Sequence, residues 1–114
     1  MMRPYGSLCR RADFHRVYRR GGKAGSEHLA VYALAPQRGG ESRPEVGFSI
    51  GKGVGKAVVR NRLRRRCRTA LDALALDPAG GQRVVIVARP GAGELSFERL
   101  RAELGAGLRR LGVV

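Results

Sequence analysis

The spacing of apolar positions changes along the chain, and each spacing predicts an element. In "ADFHRVYRRGG", Phe14, Val17 and Tyr18 recur at intervals of three and four, which predicts a short helix ended by Gly21 and Gly22. Residues 28–36, "HLAVYALAP", are rich in strand formers and closed by Pro36. "EVGFSI" alternates, with Val46, Phe48 and Ile50 on one face, and predicts a second strand. A glycine-rich turn, "GKGVG", leads into a helix predicted over residues 56–76. "RVVIVAR" is an unbroken apolar run, as expected of a strand covered on both faces. Ser96 is a candidate N-cap for a last helix, along which Phe97, Leu100, Leu104, Leu108 and Leu111 form one apolar stripe. "QRGGESRP" and "DPAGGQ" are polar turns, residues 1–7 a loose arm, and a short additional strand is expected near residues 23–26.

Helix, strand, strand, helix, strand, helix is the order of an α/β sandwich of the α+β kind: a mixed sheet of about four strands with three helices packed on it. The 114 residues fit a single domain, 1–114. A chain of this size buries roughly two-thirds of its unfolded surface, enough for one modest core. No apolar run approaches the length of a membrane span, and no apolar signal core stands at the N-terminus. Cys9 and Cys67 are far apart in sequence and neither sits in a CxxC pair. Reduced thiols and a soluble, cytoplasmic protein are the expectation.

Charge sharpens this picture. Lys and Arg number 23 against nine acids, a formal net charge of +14. Such a field attracts polyanions, with nucleic acid first and an anionic membrane second. The charge peaks in "GKAVVRNRLRRRCR", residues 55–68, where half of the fourteen residues are basic and none is acidic. On a helical wheel Val59, Leu63, Cys67, Ala70 and Leu74 fall within about 80° of one another. Asn61, Arg65 and Arg68 lie opposite, with Arg60 and Arg64 on one shoulder and Arg62 and Arg66 on the other. Solvated helices ordinarily mix signs, because like charges one turn apart repel by a few tenths of a kcal/mol. No acid occurs between Glu45 and Asp72, so the pattern points to a core-anchored helix that presents a polyanion site.

Catalytic patterns are missing from the sequence. "GKGVGKA" has three residues, not four, between its first glycine and Gly55-Lys56, and Ala57 stands where a phosphate-binding loop needs Ser or Thr. Amide groups at a helix start beside Lys52 and Lys56 still suit a backbone phosphate. His15 and His28 lack companions at metal spacing, and Ser49 and Cys67 lack a base partner. Phe14 and Tyr18, one turn apart, have two readings: core packing, or a platform on which unpaired bases stack.

The segment "VGFSIGKGVGKAVVRNRLRRRCR", residues 46–68, resembles the signature of the bacterial ribonuclease P protein subunit: a strand, a Lys/Gly turn, then a helix carrying Arg60-Asn61-Arg62. "ADFHRVYRRGG" resembles that family's first helix, and "VVIVARPGAGELSFERLRAEL" its last strand, loop and helix. Gly51 and Gly53 depart from the Ser and second Lys common there, Arg64 replaces a common Lys, and Cys67 an aliphatic residue. The resemblance implies a left-handed βαβ crossover, against the right-handed form that sheet twist favours in about 98% of cases.

It implies, too, a ribonucleoprotein that removes the 5′ leader of precursor tRNA. In that family the RNA subunit and Mg²⁺ carry out the hydrolysis, and the protein binds no cofactor alone. Its partners would be ribonuclease P RNA and precursor tRNA, with no membrane or small-molecule substrate. By that resemblance Lys52, Lys56, Arg60, Arg62, Arg64 and Arg66 contact the RNA subunit. Phe14, Tyr18, Tyr32 and Phe48, with Asn61, Arg65 and Arg68, take the leader in a cleft between first helix and sheet. Two other readings share the charge: a structural RNA-binding protein of the ribosomal type, and a DNA-binding module.

Overall fold

The apolar run of the sequence lies at the centre of the sheet. The computed structural model describes residues 5–35, 44–74 and 81–113. Its strands are β1 (Gly6–Ser7), β2 (Gly22–Gly25), β3 (Leu29–Leu34), β4 (Glu45–Ser49) and β5 (Arg83–Ala88), and its helices α1 (Arg11–Arg20), α2 (Ala57–Ala73) and α3 (Phe97–Arg110). The sheet order is β1-β4-β5-β3-β2. β4 and β5 pair in parallel, Val46 opposite Val84 and Phe48 opposite Ile86, so α2 is the crossover between them. β3 runs antiparallel to β5 and to β2. The result is an α+β fold with three helices on a mixed sheet.

Strand alternation sends successive β5 side chains to opposite faces. Val84, Ile86 and Ala88 join Leu29, Val31, Val46 and Ile50 beneath Leu63, Cys67, Ala70 and Leu71 of α2 and Leu100, Leu104 and Leu108 of α3. Val85 and Val87 face the other way, where Leu8, Phe14, Val17 and Tyr18 close a smaller cluster over Tyr32 and Leu34. α2 and α3 therefore cover one face and α1 the other.

Two expectations change. Five strands form instead of about four, because the N-terminal arm is docked where it is described. Gly6 and Ser7 pair with Glu45 and Val46, and Tyr5 and Leu8 are buried on either side of them. A two-residue strand is too short to leave an alternating signature, yet it satisfies the free edge of β4: Gly6 N–H donates to Pro44 O at 2.8 Å and Leu8 N–H to Val46 O at 2.9 Å. The expected short strand at residues 23–26 is β2, beginning one residue earlier. Residues 1–4 of the arm, Pro36, residues 75–76 of the expected helix and most of both polar turns lie outside the described residues.

α3 starts as expected, with Ser96 Oγ accepting from Arg99 N–H at 3.2 Å. Glu103, one turn on, latches it to the β2–β3 turn. Its Oε1 accepts from Ser26 Oγ at 2.7 Å and from His28 N–H at 3.1 Å, while Oε2 lies 2.9 Å from His28 Nδ1. Burial alone would raise this carboxyl, but the hydrogen bonds from Ser26 and His28 outweigh it and hold Glu103 below the ordinary value of 4.5. A carboxyl lowered by folding stabilises the fold above its unfolded pKa and loses that contribution as the pH falls through the folded one. Thermal melts should therefore show stability declining below about pH 4.5, and Glu103→Gln should flatten that part of the decline. An acid limb identical in the variant would refute the latch.

Candidate nucleic-acid interface

Helix α2 is anchored as its wheel demands. Leu63, Cys67, Ala70, Leu71 and Leu74 are buried and Val59 is half-buried. Leu71 widens the buried sector toward the Arg60–Arg64 shoulder; Arg60 and Arg64 are half-buried there, as is Arg66 on the other shoulder, while Arg62 is exposed. Burial pushes the Cys67 thiol up to about 12, partly offset by Arg64, which leaves it an inert packing group.

The arginines are positioned without carboxylates. Arg62 Nη2 donates to Gly93 O at 3.4 Å and Arg66 Nη1 to Leu95 O at 3.2 Å, both across to the turn before α3. Arg64 Nη1 donates to Asn61 Oδ1 at 3.0 Å. The Arg68 guanidinium lies 5.4 Å from the Phe48 ring centre, a cation–π contact. Arg65 is exposed. Among the described residues no ion pair takes an α2 arginine; Asp13 and Glu45 pair with Arg83, and Glu27 and Glu103 with Arg99. Lys52 lies in a 3₁₀ turn and Lys56 caps α2. Both are exposed, and the first turn of α2 has no side-chain cap and no acid. That end of the helix is open to an anion.

On the other side of the sheet, α1 and β3 bring three rings together. Tyr18 meets Tyr32 edge-on at 4.9 Å between centroids, and Phe14 lies 6.4 Å from Tyr18. Lys23 Nζ stands 5.7 Å from the centre of Tyr32. All three rings are half-buried, whereas Val17 beneath them is fully buried. They pack on the sheet and still offer surface to a ligand. Phe14 can approach this closely because Gly47 has no side chain: a Cβ there would come within 2.5 Å of Phe14 Cζ and 3.1 Å of Leu8 Cβ.

The seven residues expected in one cleft thus fall into two places. Phe14, Tyr18 and Tyr32 share the α1 face. Phe48 points through the opposite face, under Arg68, and Asn61 and Arg65 belong to the outer side of α2. Two contributors escaped the sequence reading. Lys23 had no visible pattern until β2 was paired with Tyr32. Phe97, counted only as core, also lines a groove of about 480 Å³ with Arg62, Arg65, Arg66 and Thr69. No group of three His, Cys, Asp or Glu side chains able to hold a metal ion occurs among the described residues, and no helix there is long and apolar enough to cross a membrane.

Comparison with known proteins agrees with this geometry. The family model described as Ribonuclease P matches residues 2–112. The chain is 40% identical over 114 residues to the ribonuclease P protein component of Thermobifida fusca, covering 96% of this chain and 78% of that one. It is 44% identical over 111 residues to that of Streptomyces avermitilis, covering 91% and 89%. The fold is like that of the Staphylococcus aureus RNase P protein, with a TM-score of 0.81 at 22% identity over 94% of this chain and 95% of that one. It is also like the Thermotoga maritima RNase P protein, with a TM-score of 0.73 at 22% identity over 95% and 96%.

The contact of Phe14 with Gly47 can be tested by a double-mutant cycle. Gly47→Ala should cost about 1–3 kcal/mol in a denaturant melt, as overpacking does, and less in a Phe14→Ala background. Equal costs in both backgrounds would remove Gly47 as the seat of the ring.

Proposed function

The chain belongs to the ribonuclease P protein family and is a protein subunit of that enzyme; from this premise we propose that it holds two RNAs on opposite faces of one sheet. The α2 side takes the RNA subunit. Lys52 and Lys56 flank the open helix end, and Arg60, Arg62, Arg64 and Arg66 supply guanidinium groups that fork onto phosphate oxygens. The α1 side takes the single-stranded 5′ leader of precursor tRNA, with bases against Phe14, Tyr18 and Tyr32 and Lys23 beside them. Phe48, Asn61, Arg65 and Arg68 make RNA contacts continuous with α2. The observation that carries this reading is the unneutralised arginine face of α2 set across the sheet from three half-exposed rings.

No bond-making group is assigned to the protein. The phosphodiester is cut by the RNA subunit, in the cytoplasm, and the protein contributes by holding the leader in register with the cleavage site. The described residues offer no donor set for Mg²⁺, and its ligands are assigned to RNA.

The test is reconstitution. Adding the chain to a bacterial ribonuclease P RNA at low Mg²⁺ should raise cleavage of precursor tRNA, and the protein alone should cut nothing; no stimulation would sink the proposal. Tyr18→Ala should weaken binding of leader-bearing substrate by about 1–3 kcal/mol, the worth of a stacked base, and leave mature tRNA binding unchanged. Arg60→Ala or Arg62→Ala should instead weaken RNA-subunit binding and lower the slope of its salt dependence by about one.

A further inference from the structure

The groove between α2 and the start of α3 has a chemistry of its own. Three guanidinium groups, one hydroxyl and one aromatic ring line its volume of about 480 Å³, with no carboxylate among them. Pockets of this order hold small ligands about the size of one nucleotide. Its cationic wall is pre-set. Gly93 lets the turn before α3 sit directly on α2, since a Cβ there would come within 2.6 Å of Val59 Cγ1. Carbonyls of that turn then fix Arg62 and Arg66. Each guanidinium carries five N–H donors and spends one on a carbonyl, so most remain for an anion. Arg65 stands between them on the helix, exposed.

The opposite wall is apolar. Phe97 is half-buried at the first position of α3, so part of its ring faces the groove rather than the core. Val58, 76% exposed, continues the line of Arg62, Arg65 and Thr69 one turn toward the start of α2. The acids nearest Phe97 in sequence, Glu94 and Glu98, line a separate groove with Ser96 and Arg99. They repel a phosphate on that side and confine a strand to the α2 side.

We infer that this groove binds one unpaired nucleotide of the RNA subunit, its base on Phe97 and its phosphate on Arg62, Arg65 and Arg66. An aromatic face beside clustered arginines is the arrangement that single-stranded RNA uses and duplex RNA does not. The RNA subunit is the source because the groove lies across the sheet from Phe14, Tyr18 and Tyr32, where the leader is placed. The inference rests on the two-RNA reading above and adds a stacking contact to a face otherwise assigned only to phosphates.

Two variants test it in the reconstituted holoenzyme. Phe97→Leu keeps the apolar volume and removes the stacking face. Thr69→Glu puts a carboxylate on the exposed rim without entering the core, and so decides the matter should Phe97→Leu fold poorly by circular dichroism. Each should weaken affinity for the RNA subunit about tenfold, while the saturated holoenzyme keeps its preference for precursor over mature tRNA. Acylation of RNA 2′-hydroxyls should reveal an unpaired nucleotide of the RNA subunit that the wild-type protein protects and both variants expose. Affinities within twofold of wild type, or a loss confined to leader-bearing substrate, would overturn the inference. If the wild-type protein itself fails to bind the RNA subunit, the two-RNA reading falls and this inference with it.

Discussion

Everything in this molecule depends on how α2 is seated. Its sequence concentrates like charge where helices usually alternate signs, and each uncompensated pair one turn apart costs a few tenths of a kcal/mol. Against that stands the burial of Leu63, Cys67, Ala70, Leu71 and Leu74. A fully buried leucine alone is worth about 1.5–3 kcal/mol. The seam outweighs the repulsion, and the helix stays formed with its arginines unneutralised. Backbone carbonyls of the turn before α3 take the place that carboxylates would fill, orienting Arg62 and Arg66 without cancelling their charge.

The sheet turns this one seat into two surfaces. Because β5 is covered on both faces, its alternation sends Val84 and Ile86 to the α2–α3 side and Val85 and Val87 to the α1 side. The docked arm serves both: Tyr5 enters the larger cluster and Leu8 the smaller one. The acids complete the separation. Asp13 and Glu45 close on Arg83, and Glu103 secures α3 to the β2–β3 turn. Among the described residues none of these pairs takes an arginine of α2, so the cationic face of that helix keeps its charge.

Much of this was legible in the residues. The 3.6-residue stripe of α2, the unbroken run of β5 and the capped stripe of α3 all come from strong local patterns, and they formed within a few residues of the expected bounds. What was illegible needed long-range information. Alternation showed that Val46, Phe48 and Ile50 share a face, but a period of two cannot say which face looks toward α1; Phe48 was placed with Tyr18 and proved to lie under Arg68. β1 is too short to carry a pattern. His28 and Glu103 are 75 residues apart, and only the packing of α3 makes them partners. Leu71 lies between Arg60 and Arg64 on the wheel, outside the apolar arc, and only tertiary packing shows it to be buried. Phe97 satisfied the core pattern so well that nothing in the sequence marked its second, groove-facing side.

A protein with no catalytic constellation can still raise the rate of a reaction if it fixes two partners relative to each other. On the proposed reading the RNA subunit and the leader never touch the same helix, yet they are linked through β5, a central strand with packed side chains on both faces. Such a link has little freedom, because packed interiors yield only by discrete rearrangement. Binding free energy gained on one face therefore constrains position on the other, converting affinity into orientation of the scissile bond. A flexible basic tail with the same charge would bind RNA as readily through counterion release, but it could not transmit that constraint. That is the physical reason for burying one side of so cationic a helix.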